Sequence, residues 1–257
     1  MTRPCVLVFS GSDPGGGAGL QADLQAIAGQ GAHALTVVTA VTVQDNDRVY
    51  AVNPVSPELV RHQSQVLIDK MPIAAVKIGI PGSVANAQTI AGLLAMLRQR
   101  QPELPVVLDT VLASGKGNAL SNGDPLQGLR ALMPWATLLT PNLPEAARMC
   151  EGEQDLERQA ARLHEQCPNV LIKGGHADGE QVVNRWYARS HHQQWVWPRL
   201  SGTFHGTGCT LASAIAGQLA CGASLKEAIE VAQAYVHESL LRAYAIAAGQ
   251  RIPNRNH

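Results

Sequence analysis

Aromatic residues are scarce in this chain: four tryptophans, four tyrosines and two phenylalanines among 257 residues. Surfaces that hold single-stranded nucleic acid stack bases on such rings, so that mode of binding has little to work with. Nor does either sign of charge prevail. Lys plus Arg and Asp plus Glu number 20 each, which sets up no field for polyanions or acidic membranes. The cysteines Cys5, Cys150, Cys167, Cys209 and Cys221 are odd in number, scattered, and contain no Cys-x-x-Cys pair. That argues against a disulfide framework and against a zinc site, and makes a reducing cytoplasm the simplest setting. Long apolar runs are missing too, since charges or turn residues interrupt each one short of membrane-spanning length. Met1-Thr2-Arg3-Pro4 leads into an apolar strand without a signal-peptide cleavage pattern. The expectation is a compact cytoplasmic protein with no nucleic-acid or membrane partner, and 46% apolar against 16% charged residues suits a packed core.

What is present is alternation. Short β-rich runs at Cys5–Ser10, Leu35–Val41, Ala74–Ile78, Val106–Asp109, Thr137–Thr140 and Val170–Lys173 are each bounded by turn residues. Helical patterns lie between them near Ala18–Gly29, Pro57–Asp69, Ser83–Gln99, Leu143–Cys150 and Leu156–Gln166. Such order predicts an α/β protein with a mostly parallel sheet and helices on both faces. Arg48–Asn53, and Val182–Ala188 with Gln194–Trp197, read as edge strands or a small flap. Ser224-Leu225-Lys226-Glu227 is a capping box opening a helix from Leu225 to about Ala247, closed by Gly249. No repeat, low-complexity tract or composition break marks a linker, so residues 1–257 are read as one domain.

Parallel sheets deliver functional groups at the carboxyl ends of their strands. Asp109 ends one run, Pro141-Asn142-Leu143-Pro144-Glu145 follows another, and Lys173-Gly174-Gly175-His176 ends a third. His205-Gly206-Thr207-Gly208-Cys209 differs in character: two glycines allow a tight turn, with a small-residue helix from Thr210 to about Leu219 behind it. Helix N-termini leave backbone donors unpaired and carry partial positive charge, so the segment reads either as a phosphate grip or as a plain cap. Asp109 and Glu145 are each ordinary as a turn cap or first-turn acid; on adjacent strand ends they resemble a Mg²⁺ site. Lys173 ends a buried strand where it can meet nucleotide phosphates. Cys209 is a small buried hydrophobe in one reading. In the other it is a thiol whose pKa the helix dipole lowers, serving as a base or as a neighbour of the acceptor alcohol. His205, His176, His191 and His192 have no metal spacing and are read as surface or supporting residues.

The glycines of Gly11-Ser12-Asp13-Pro14-Gly15-Gly16-Gly17-Ala18-Gly19 also raise a dinucleotide fold. The second strand, however, runs on through Thr42-Val43-Gln44, and Asp45 comes late for a ribose acid. No lysine followed by Ser or Thr completes a Walker A loop. These glycines are therefore expected to wrap a small substrate, and tight NAD binding without an ATP effect is what an oxidoreductase would show.

Together, Ser10–Ile27, Thr39–Asp45, Lys77–Ile80, Val106–Val111, Leu138–Ala146, Leu171–His176 and His205–Ala216 resemble the hydroxymethylpyrimidine/phosphomethylpyrimidine kinase family of thiamine biosynthesis, in the ribokinase-like superfamily. The resemblance implies a three-layer α/β/α ribokinase-like fold with a mostly parallel central sheet, ATP and Mg²⁺ as cofactors, a small-molecule substrate, and a homodimer as the candidate assembly. It implies two successive phosphorylations, of 4-amino-5-hydroxymethyl-2-methylpyrimidine and then of its monophosphate. Carried over, Gln44 would bond the aminopyrimidine, with Gly11, Ala18, Ile80 and Val111 lining its pocket. Asp109 and Glu145 would organise Mg²⁺; Thr207, Lys173 and Asn142 would hold ATP; Gly206 and Gly208 would form an anion hole beside Cys209, with Lys173 and Cys209 in the catalytic set. In sugar kinases of the superfamily an aspartate base takes the place of Cys209. Ile80, followed by Pro81, departs from the family's usual methionine, and the glycine-rich run after Asp109 shifts Lys116. Two alternatives stand beside this reading: a pyridoxal/pyridoxine kinase on the same fold, against which Gln44 speaks, and a non-catalytic pyrimidine sensor.

Overall fold

The computed structural model describes residues 2–113, 120, 123–189 and 191–257. Its organising strand is Cys5–Ser12 (β1), whose side chains alternate between two hydrophobic cores. Cys5, Leu7 and Phe9 enter one core and Val6 and Val8 the other, as the two-residue period of a strand requires. On one side of β1 lies His33–Gln44 (β2), flanked at the edge by Val49–Pro54 (β3). On the other side follow Ile73–Ile78 (β4), Val106–Leu108 (β5), Leu138–Leu139 (β6), Asn169–Ile172 (β7), Gln181–Ala188 (β8) and His192–Pro198 (β9). Strands β2, β1, β4, β5, β6 and β7 run parallel; β3 pairs antiparallel with β2 at one edge, and β8 with β7 and β9 with β8 at the other. Both hairpin-like pieces of the sequence are thus edge strands.

One core is closed by the helices Pro57–Lys70 (α2), Val84–Arg100 (α3), Pro125–Leu132 (α4), Leu143–Met149 (α5) and Leu156–His164 (α6). The other is closed by Gly19–Gly29 (α1), Thr207–Ala220 (α7) and Leu225–Leu241 (α8). Sheet and two helical layers make the expected α/β/α sandwich. No helix among the described residues is long and apolar enough to cross a membrane.

Three sequence expectations need correction. Helix α4 was not anticipated, because Gly128 interrupts its pattern; its start is nevertheless signalled by Asp124, which accepts from Leu126 N–H, and by Pro125 in the first turn. Helix α8 opens on its capping box but ends at Leu241, not near Ala247. Beyond it Tyr244 and Ile252 exchange backbone hydrogen bonds, and Asn46 Nδ2 donates to the carbonyls of Ala248 and Gln250. These tertiary bonds override the helical preference of Ala243–Ala247, and Gly249 sits in the resulting loop with φ +107°. Helix α7 begins at Thr207, earlier than Thr210, because Gly206 itself is the cap.

Where β4 faces the α1–α7 layer, its alternation brings in a charge. Lys77, fully buried, donates to Asp23 Oδ1 of α1 at 2.7 Å, and Ser213 of α7 donates to the same oxygen at 2.7 Å. Burial alone would lower the Lys77 pKa, but Asp23, Cys209 and Asp109 outweigh it and hold it above its ordinary value. A buried pair is costly to break because the remaining ion has no solvent. Asp23→Ala is therefore expected to lower the unfolding free energy in urea by about 3–5 kcal/mol, with Lys77→Met added on top restoring much of it. A double variant no more stable than Asp23→Ala alone would refute this account.

Candidate active site

The glycine turn carries the strongest geometric constraint. Gly206 caps α7 with φ +82°, and a Cβ there would overlap the Gly17 carbonyl and crowd Ala18. A left-handed backbone pressed against another backbone leaves only glycine. Thr210 secures the turn from within the helix: its N–H and its Oγ1 both donate to Gly206 O, at 2.9 and 2.8 Å. Thr207, Gly208 and Cys209 thus form the first turn of α7, where backbone N–H groups have no helical acceptor. No side chain caps this end and no acid lies in its first turn, so its partial positive charge is left for an anion.

Over this turn stand the ends of β5 and β7. A Cβ on Gly208 would lie 3.2 Å from Lys173 Nζ and 3.8 Å from Asp109 Oδ2. Lys173 Nζ donates to Asp109 Oδ1 at 3.1 Å, and Thr140 Oγ1 donates to the same oxygen at 3.3 Å. Asp109 Oδ2 is buried and finds no hydrogen-bond partner among the described residues. Lys173 remains a cation: burial would lower its pKa, but Asp109 and Glu145 raise it above its ordinary value.

Asn142 and Glu145 are less free than their place in the motif suggests. They form a capping box on α5, in which Asn142 Oδ1 accepts from Glu145 N–H at 2.9 Å and Glu145 Oε2 accepts from Asn142 N–H at 2.8 Å. Thr110 Oγ1 adds a bond to Oε2 at 3.4 Å. Burial pushes the Glu145 pKa up, opposed by Lys173 and reinforced by Asp109. Glu145 stands behind Asp109, already engaged, while Asp109 has an open oxygen.

Of the two sequence readings of Cys209, the structure favours the small, neutral one. Burial pushes its thiol up to about 11, with Lys77 acting against burial and Asp109 and Asp23 acting with it. At pH 7 a group with that pKa is ionised in about one molecule in 10⁴.

The cavity in front of these groups has a volume of about 620 Å³. Gly206, Thr207, Gly208, Cys209, Lys173, Asp109, Asn142 and Glu145 line one part of it, and Gly11, Ala18, Gln44, Ile80 and Val111 line another. Gly11 leaves space for Ile80, whose Cδ1 lies 2.7 Å from where a Cβ would stand. Lys116 falls outside the described residues.

His205, read from sequence as a surface or supporting residue, joins the two loops of the site. Its Nε2 meets Asp13 Oδ2 at 2.9 Å, and fully buried Asp13 also accepts from Gly15 and Ala18 N–H, both at 2.8 Å. Burial would raise the Asp13 pKa, but His205 and these N–H groups prevail and hold it below its ordinary value. Asp13, Lys77 and Asp23 were missed as site-supporting groups. A lysine inside an apolar strand was the available signal, since such a charge is almost never fully buried unpaired. His176, His191 and His192 are exposed, as expected.

In shape the chain is similar to Bacillus subtilis pyridoxal kinase in its ADP complex, with a TM-score of 0.88 and 25% identity over 99% of this chain and 98% of that one. It is also similar to the phosphomethylpyrimidine kinase of Clostridium difficile 630, with a TM-score of 0.78 and 29% identity over 93% and 100% of the two chains. Fold and site together define a ribokinase-like protein of the small-molecule kinase class. The hydroxymethylpyrimidine/phosphomethylpyrimidine kinase of Streptomyces coelicolor is 39% identical over 97% of this chain and 93% of its own. The sequence profile described as phosphomethylpyrimidine kinase matches residues 13–254. The chain belongs to the phosphomethylpyrimidine kinase family.

The state of Cys209 is directly measurable. In a Cys221→Ser background, which removes the exposed thiol, alkylation of Cys209 by iodoacetamide is expected to rise with pH toward a midpoint of about 11. A midpoint below that of an ordinary thiol would show that the helix dipole prevails over burial.

Proposed function

We propose that the protein uses ATP to phosphorylate 4-amino-5-hydroxymethyl-2-methylpyrimidine and then to convert the monophosphate to the diphosphate, a step of thiamine biosynthesis. The observation that carries the reading is the uncapped N-terminus of α7 opening into the same cavity as Lys173, Asp109 and Gln44.

Gln44 suits the aminopyrimidine, because an amide accepts from the amine and donates to a ring nitrogen. Gly11, Ala18, Ile80 and Val111 form the wall beside it. The alcohol oxygen attacks the γ-phosphorus, the bond to the β–γ bridging oxygen breaks, and ADP leaves. The hydroxyl proton goes to water or to a phosphate oxygen of the product. A loose phosphoryl-transfer transition state asks chiefly for positioning and charge stabilisation, which the first-turn N–H groups of Thr207, Gly208 and Cys209 and the Lys173 cation provide. In the second transfer a phosphate oxygen is the attacking atom, and the same cationic groups offset its charge. Asn142, as the cap of α5, holds Glu145 in place near the nucleotide phosphates. The donor set fits Mg²⁺: Asp109 offers an unpartnered oxygen with Glu145 behind it, and this ion takes few carboxylates and keeps several waters. Bound there, Mg²⁺ would neutralise charge on the triphosphate.

Cys209 enters this scheme as a neutral thiol whose backbone N–H completes the anion hole. The similarity to pyridoxal kinase favours a second reading, in which the acceptor is pyridoxal. MgATP-dependent ADP release with each alcohol decides between them: faster turnover of the hydroxymethylpyrimidine is expected, and preferred turnover of pyridoxal would overturn the substrate assignment. Single-turnover assays with alcohol and monophosphate separate the two transfers. Lys173→Ala is expected to lower kcat by about 10²–10³-fold. Cys209→Ala should lower kcat by less than the roughly 10²-fold a general base contributes, with the KM for ATP nearly unchanged; a larger loss would restore the thiolate base.

A further inference from the structure

Arg255, in the segment after α8, is the largest fully buried side chain, 1% exposed. None of the ion pairs among the described residues includes it. A buried guanidinium without a carboxylate is costly, so its hydrogen bonds indicate what it is retained for. Nη2 donates to Gly17 O, Nε to Thr210 Oγ1 at 2.9 Å, and Nη1 reaches Gln25 Oε1 at 3.5 Å. The first two acceptors are the groups that hold Gly206. The Gly17 carbonyl packs against the Cα of Gly206, and Thr210 binds the Gly206 carbonyl through both N–H and Oγ1. Arg255 thus bonds both groups that hold the cap of α7, and it does not line the cavity. Its own backbone is held in turn, since Tyr235 Oη donates to Arg255 O at 2.6 Å and Asn254 N–H donates to Ser239 O.

We infer that Arg255 is a positioning residue for phosphoryl transfer, fixing Gly206 so that the first-turn N–H groups of α7 meet the moving phosphoryl group, with its positive charge placed behind them. The inference rests on the kinase reading of the site. A planar fork suits the task, because one lysine amine cannot serve two acceptors set at fixed angles in the same way. Burial lowers the Arg255 pKa from its ordinary value, and the guanidinium couples to Cys209 wherever that thiol ionises. Cys209 otherwise feels Lys77 on one side and Asp109 and Asp23 on the other, with Gly19 N–H directed at its sulfur.

The test compares full-length wild type, Arg255→Met and Arg255→Lys by steady-state kinetics, thermal unfolding and the pH profile of Cys209 alkylation in the Cys221→Ser background. Misplacing a preorganised group costs up to about 10²-fold in rate. Arg255→Met is therefore expected to lose about 10–10²-fold in kcat with both KM values within about threefold of wild type. Arg255→Lys should recover part of kcat, and the Cys209 profile should move to higher pH in the Met variant but not in the Lys variant. If Arg255→Met does not fold, a kcat loss at unchanged KM in Arg255→Lys carries the proposal. A kcat within twofold of wild type overturns it, as does an activity loss accounted for by a smaller folded fraction with an unshifted Cys209 profile. A wild type that transfers nothing to the alcohol fails the kinase reading instead, and the alkylation profile still tests the placement of the Arg255 charge.

Discussion

Helix α7 directs an uncompensated positive end at the cavity, and it can do so because Gly206 lies with its backbone against the Gly17 carbonyl. That contact brings the loop after β1, which borders the acceptor side, to the turn that would meet the phosphate. Any side chain at position 206 would push the two apart. The residues around it reinforce the same junction from different directions: Asp13 and His205 link the loops across the front, and Thr210 ties the cap to its helix. Arg255 reaches both from behind. A site assembled from separate βα connections has no covalent reason to hold its geometry to the sub-ångström tolerance transfer chemistry demands. Here one glycine contact sets the spacing, and short polar links keep it.

Electrostatics follow the same plan. Lys77 and Asp23 are a fully buried pair, and Ser213 of α7 donates to the same Asp23 oxygen as Lys77. Lys173 and Asp109 are a looser pair at 3.1 Å, left with one buried carboxylate oxygen unbonded. Asp23 Oδ2 is likewise buried without a partner among the described residues, but of the two only the Asp109 oxygen belongs to a residue that lines the cavity beside the open helix end, where a bound cation could meet it. Glu145 is less free for that role, because its capping box and Thr110 engage one of its carboxylate oxygens.

The layered fold was legible because the β–α alternation is local: runs such as Leu7–Phe9 and Val106–Leu108 carry their own signal in β-branched and apolar residues. The site was legible for a related reason. Parallel topology sends Gly11, Ile80, Asp109, Asn142 and Lys173 to one rim whatever the details of packing. What escaped depends on partners distant in sequence. Nothing near Ala243–Ala247 announces that Tyr244 pairs with Ile252, so the helix was read too long. Nothing beside His205 points to Asp13, 192 residues away. Arg255 gives no pattern at all, since its meaning lies in Gly17 and Thr210. The state of the Cys209 thiol stayed open in the sequence because a helix dipole is visible there, whereas burial beside Asp109 and Asp23 is not.

The same burial explains why a thiol suits this position. A carboxylate at 209 would stand with Asp109 and Asp23 as a third anion in one buried region, and such groups raise one another's pKa or neutralise the nearby cations. It would also occupy the positive end of α7 that the phosphate needs. A thiol kept neutral by burial avoids both conflicts. Lys77 remains committed to Asp23, Lys173 keeps its charge beside Asp109, and the N–H groups of the first turn stay directed at the cavity. The contribution of Cys209 to an anion-binding turn then lies in the negative charge it withholds, which a small neutral side chain at the third helical position can supply without any proton transfer.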